Sequence, residues 1–110
     1  MVDIAELVMG CFVELVDDLA QAKGLKKGDF AQKVWPDATP KANRARWLHI
    51  RTLAPKTGQP QGVLISDAYR MAEALNEDFA LLMLRAKDLA FKKQAELDEQ
   101  EKSKAGKRGG

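Results

Sequence analysis

One cysteine, one histidine and one tyrosine leave this chain short of reactive side chains. A single cysteine excludes an intrachain disulfide and a thiolate metal cluster. His49, with no second histidine and no suitably spaced carboxylates, assembles neither a zinc site nor a histidine-based triad. Aromatic residues make up only 6%, and no stretch alternates β-branched with polar residues as a half-buried strand would. The amino-terminal stretch is apolar in flavour, but Asp3, Glu6, Glu14, Asp17 and Asp18 interrupt it. It also lacks the positive start of a signal peptide. The expectation is a cytoplasmic, non-secreted protein without catalytic activity, cofactor, metal or membrane association.

At 110 residues, 45% apolar and 31% charged, the chain fits one soluble globular domain with a modest core. The net charge of +2 hides a strong polarity along the sequence. Residues 1–25 sum to −4, residues 26–56 to +6, residues 57–91 to −2 and residues 92–110 to +2. A basic block between acidic segments suits a polyanion.

Hydrophobic spacing resolves five helices. Ile4, Leu7, Val8, Cys11, Leu15, Val16 and Leu19 recur at three- and four-residue intervals, predicting an amphipathic helix over 3–23 with Asp3 as N-cap and Gly24 as stop. Cys11 lies on that stripe and reads as a small buried hydrophobe. DFAQKVW forms a short second helix that Pro36 ends, because the residue before proline is pushed out of the α region. Thr39-Pro40 then opens a third helix running to about Leu53, with a hydroxyl N-cap and proline at the first helical position. LAPKTGQPQGV reads as a loop. Ser66 or Asp67 caps a fourth helix that stops near Asn76, and a fifth begins around Glu77–Asp78. Its apolar spacing fades after Phe91, so residues 1–98 are expected to form the helical domain and 99–110 a flexible basic tail. Leu81, Leu82, Leu84 and Leu89 either finish the core or build a homodimer seam along residues 77–98. The third helix carries two apolar stripes on nearly opposite sides, Trp47/Ile50 and Ala42/Ala45/Leu48, and only one of them can face inward.

FAQKV at 30–34 pairs a hydrophobe with a small alanine, RARWLHIR follows, and ISDAYRMAEALNED spans 65–78 as a capped helix with an Asn stop. In that order these residues resemble the phage-repressor or Cro-like helix-turn-helix family, over roughly residues 25–84. Where the family often has glycine at the sharp turn, Trp35 and Pro36 stand here, and PDAT lengthens the turn. The resemblance implies an all-α, five-helix compact domain, lambda-repressor-like, with a helix-turn-helix whose second helix, 40–53, reads the major groove of double-stranded DNA. It also implies a small transcriptional regulator, repressor-like.

The start of a recognition helix points at base edges, which makes Thr39, Lys41, Asn43 and Arg44 the expected base readers. Arginine or lysine donates to guanine O6 and N7, and asparagine pairs with adenine N6 and N7. Lys27, Arg46, Arg51 and Lys56 are the expected phosphate contacts, which fix register. The alternative from the same residues is a non-catalytic, antitoxin- or adaptor-like protein-interaction module.

Overall fold

The computed structural model describes the backbone of residues 3–52 and 63–108, and side chains of those residues up to 100. They form five α-helices: α1 (Ile4–Ala22), α2 (Lys27–Val34), α3 (Pro40–Arg51), α4 (Ile65–Ala74) and α5 (Phe79–Arg108). There is no strand among the described residues. No described helix is long and apolar enough to cross a membrane.

Helix ends follow local chemistry. Asp3 caps α1 by accepting from the Ala5 N–H at 2.8 Å. At the other end Gly24 sits at φ +75°, so the Gly24 N–H reaches Gln21 O (3.0 Å) and the Leu25 N–H reaches Ala20 O (2.9 Å). This paired closure satisfies carbonyls that the helix itself cannot. The same closure ends α4, with Asn76 at φ 56° and N–H bonds from Asn76 to Glu73 O and from Glu77 to Ala72 O, both 2.9 Å. Thr39 caps α3 through the Ala42 N–H (3.2 Å), with Pro40 in the first turn, as its sequence signature predicts. Asp78 accepts from the Leu81 N–H at 2.9 Å and starts α5.

Two boundaries depart from the sequence reading. The N-cap of α4 is Leu64, with no side-chain bond, rather than Ser66 or Asp67. Asp67 lies inside the first turn, and its carboxylate is occupied elsewhere, as described below. Helix α5 continues to Arg108, so residues 99–108, expected as a tail, have helical backbone. Residues 92–105 contain neither glycine nor proline and are rich in Lys, Glu, Gln and Ala, whose propensity sustains a helix after its apolar stripe has faded.

Helices α1 and α5 lie antiparallel along each other. Lys23 at the end of α1 meets Glu77 just before α5 (3.6 Å), and Glu14 meets Lys93 further along (2.9 Å). Phe12 and Phe79 stack edge-on between them, with centroids 6.1 Å apart. At 1.5 Å per residue α5 is about 45 Å long and α1 about 29 Å, so α5 outruns its partner. Every described side chain from Ala95 to Gln100 is exposed.

The remaining helices close the core over this pair. Phe30, Ala31 and Val34 of α2, Trp47 and Ile50 of α3, and Met71, Ala72 and Leu75 just after or within α4 are buried with Phe12 and Val16 of α1. Phe30 and Trp47 pack at 5.1 Å between centroids. Ala31 is 0% exposed, and its small side chain lets α2 and α3 approach. Of the leucines on α5, Leu82 joins the core, whereas Leu81, Leu84 and Leu89 are exposed.

Candidate nucleic-acid interface

The connection from α2 to α3, residues 35–39, makes one backbone bond of its own, Ala38 N–H to Trp35 O (3.3 Å), and is otherwise held by side chains. Asn43, 1% exposed on α3, donates its amide to Trp35 O (2.8 Å) and to Gln32 Oε1 (2.9 Å). Gln32 in turn points its own amide at Pro36 O and Ala38 O (3.3 and 3.4 Å). The loop carbonyls that no helix could satisfy are thus met by two side-chain amides, the buried Trp35 O among them.

Helix α4 braces the same turn. Asp67 is 0% exposed and accepts from the Trp35 indole N–H (3.1 Å) and from Arg46 Nη2 (2.8 Å), with Arg70 Nη1 a further 3.6 Å away. The Arg46 guanidinium also lies over the Trp35 ring, 4.6 Å from its centroid. A buried carboxylate is tolerable only when hydrogen-bonded and charge-paired. Here an indole and two guanidiniums provide both. The network joins α4 to the turn and to α3, fixing where α3 presents its outer side.

With Trp47, Ile50 and Asn43 buried, the open choice between the stripes of α3 resolves. Trp47/Ile50 face the core, while Ala42, Ala45 and Leu48 face outward, Leu48 with 56% of its surface exposed. The large indole has the most apolar area to remove from water, which favours that register. Lys41, Arg44 and His49 are exposed around the outward apolar strip. The stem of Arg44 crosses Gly28 of α2, where a Cβ would stand 3.3 Å from Arg44 Cδ. Glycine there leaves room for the arginine to lie across α2.

The candidate base readers separate accordingly. Thr39, Lys41 and Arg44 are exposed at or near the start of α3, with the Thr39 hydroxyl engaged in its cap. Among the described residues neither Lys41 nor Arg44 has a carboxylate partner. Asn43 is a correction. Its amide is enclosed and bonded to the turn, so it is part of the core rather than a base reader.

The phosphate candidates divide too. Lys27 is half exposed, in a loose pair with Asp17 at 3.7 Å. Arg51 lies over the Trp47 ring (5.4 Å), and its Nε is buried without a hydrogen-bond partner, as is Trp47 Nε1. Arg46, expected to meet phosphate, is paired with Asp67 through Nη2 at 2.8 Å, its side chain about half exposed. Lys56 lies outside the described residues. The residues that the pattern missed are Asp67 and Gln32, because nothing local marks a carboxylate or an amide for a partner so far along the chain.

Among the described residues no group of three or more His, Cys, Asp or Glu side chains is placed to hold a metal ion. Compared with family models, with curated proteins and with solved structures, the chain gives no match.

Proposed function

We propose that the protein binds double-stranded DNA, using α2 and α3 as a helix-turn-helix of the phage-repressor or Cro-like kind with α3 in the major groove. On this reading it is a small cytoplasmic transcriptional regulator, repressor-like, that occupies an operator and has no catalytic activity. The observation that carries the proposal is the outward side of α3. That helix contains no acidic residue, exposes Lys41 and Arg44, and has its apolar residues Ala42, Ala45 and Leu48 turned away from the core. Lys26, Lys27 and Lys33 on or beside α2 are exposed too, Lys27 in its loose pair with Asp17. Uncompensated cations around a small-residue surface match the groove of a polyanion in both charge and shape.

Two copies would bind a pseudo-palindrome. The outward residues Leu81, Leu84 and Phe91 of α5, 43%, 52% and 49% exposed, are spaced along one side of the helix and suit a homodimer seam within residues 77–98. Paired recognition helices would then fall on half-sites about 34 Å apart.

Fluorescence anisotropy on a duplex enriched from a random pool tests the reading. Three or four neutralised phosphates give a log–log salt slope of about −2.7 to −3.6. Lys41→Ala with Arg44→Ala should abolish specific binding while leaving the far-ultraviolet circular dichroism and melting temperature unchanged. Affinity equal at low and high salt would refute it. The protein-interaction reading has one observation of its own: Leu64 and Ile65, 61% and 80% exposed at the start of α4. Under that reading the double substitution leaves partner capture intact, and no duplex is enriched.

A further inference from the structure

We propose that the exposed side of α3 reads guanine and the thymine methyl in the major groove, and does not read adenine or cytosine. This rests on the DNA-binding proposal above and specifies its ligand.

Each base edge demands a different chemical complement. Guanine offers two acceptors, N7 and O6, to a cationic donor. Adenine offers an acceptor beside a donor, which a side-chain amide matches. Cytosine offers an N4 donor that needs an acceptor such as a carboxylate, and thymine projects a methyl group for apolar contact.

The side chains of α3 answer only two of these. PKANRARWLHIR contains no aspartate, glutamate or glutamine, so it has no carboxylate for cytosine. Its single amide, Asn43, is 1% exposed and gives its Nδ2 to Trp35 O and Gln32 Oε1. The adenine-type complement is therefore withdrawn into the fold by the same contacts that build the turn. The outer side keeps donors, Lys41 and Arg44, and apolar groups, Ala42, Ala45 and Leu48. His49, in the last turn, is exposed as well but has no fork with which to grip an adenine edge.

Placement fits the same conclusion. Lys41, Ala45 and Leu48 follow one another at four- and three-residue spacing, one line along the helix. From Lys41 to Leu48 that line covers about 10 Å at 1.5 Å per residue, or about three base-pair steps at roughly 3.4 Å each. Lys41 and Arg44 stand at the amino-terminal end of the line and Leu48 further along. The expected half-site is a short run of guanine followed by thymine on the strands facing α3. Leu48, 56% exposed, has an apolar surface that a thymine methyl would desolvate.

The test uses the full chain and the duplex enriched from a random pool, synthesised with single base analogues within the half-site. Deoxyuridine in place of thymine removes only the methyl and should weaken binding about fourfold per contacted methyl. Deazaguanine, which lacks the N7 acceptor, should weaken it about tenfold. Deazaadenine should leave it unchanged. In the Leu48→Ala variant, which removes an exposed side chain without opening the core, the uracil penalty should shrink by one methyl's share. Equal affinity for the thymine and uracil duplexes overturns the inference and leaves DNA binding standing. So does a deazaadenine penalty as large as that of deazaguanine. If no duplex is enriched at all, the inference falls together with the proposal beneath it.

Discussion

Replacing Asp67 with alanine should cost more stability than any single substitution on the outer side of α3. The carboxylate is 0% exposed, accepts from the Trp35 indole at 3.1 Å and Arg46 at 2.8 Å, and pairs with Arg70 at 3.6 Å. The two arginines are about half exposed and can turn to water when it is lost. The Trp35 indole cannot, because that residue is only 6% exposed. A hydrogen bond to a charged group contributes about 1.5–3 kcal/mol, and an orphaned buried donor costs about 1–3 kcal/mol. Since these overlap, the net loss should be about 3 kcal/mol, or roughly 10–20 °C in melting temperature for a domain of this size. Thermal and urea unfolding followed by circular dichroism measure it directly. Trp35→Phe supplies the decisive comparison, since it deletes the donor that Asp67→Ala would orphan. The double variant should therefore be more stable than the sum of the two single losses by about 1–2 kcal/mol. A loss under about 1 kcal/mol for Asp67→Ala, or strict additivity with Trp35→Phe, would refute the account of the turn given above.

Asn43→Ala should destabilise the fold by about 1–3 kcal/mol by removing the buried amide that donates to Trp35 O and Gln32 Oε1. The sequence preference recovered from a random duplex pool should not change. Asn76, at φ 56°, should tolerate glycine without loss, whereas alanine should cost about 1 kcal/mol in urea unfolding. The Cys11 thiol is pushed above its ordinary value of 9.0, chiefly by burial, with Lys93 opposing and Glu14 reinforcing. It should react with a disulfide reagent at neutral pH only as fast as the protein opens. Lys93 is raised from 10.5 mainly by its hydrogen bond to Glu14. Both folded values lie above the unfolded ones, so their stabilisation is complete below pH 9 and lost as pH rises through the folded values. Melting temperature should fall above that point, less steeply in Cys11→Ala. A flat profile from pH 8 to 11 would contradict this sign.

Helix identity in this chain was readable locally, because its causes are local. Asp3, Thr39-Pro40, Gly24 and Asn76 act through bonds spanning a few residues, so caps and stops could be placed without knowing the fold. Amphipathic spacing likewise placed Cys11 in the core. Fading apolar spacing marks the end of the buried face of α5, while its helical backbone runs on to Arg108.

Local chemistry therefore set five helices, most of their ends and the basic block that α2 and α3 carry. Tertiary structure alone decided which way α3 turns. Two stripes competed for the core, and Trp47 prevailed with the larger apolar area to bury and Phe30 packed 5.1 Å away. That one rotation buried Asn43, exposed Ala45 and Leu48, and carried Arg46 across to Asp67, 21 residues further along the chain. A contact over such a separation leaves no periodic mark. Hydrogen bonds and charge pairs act over ångströms in space, whatever the distance in sequence.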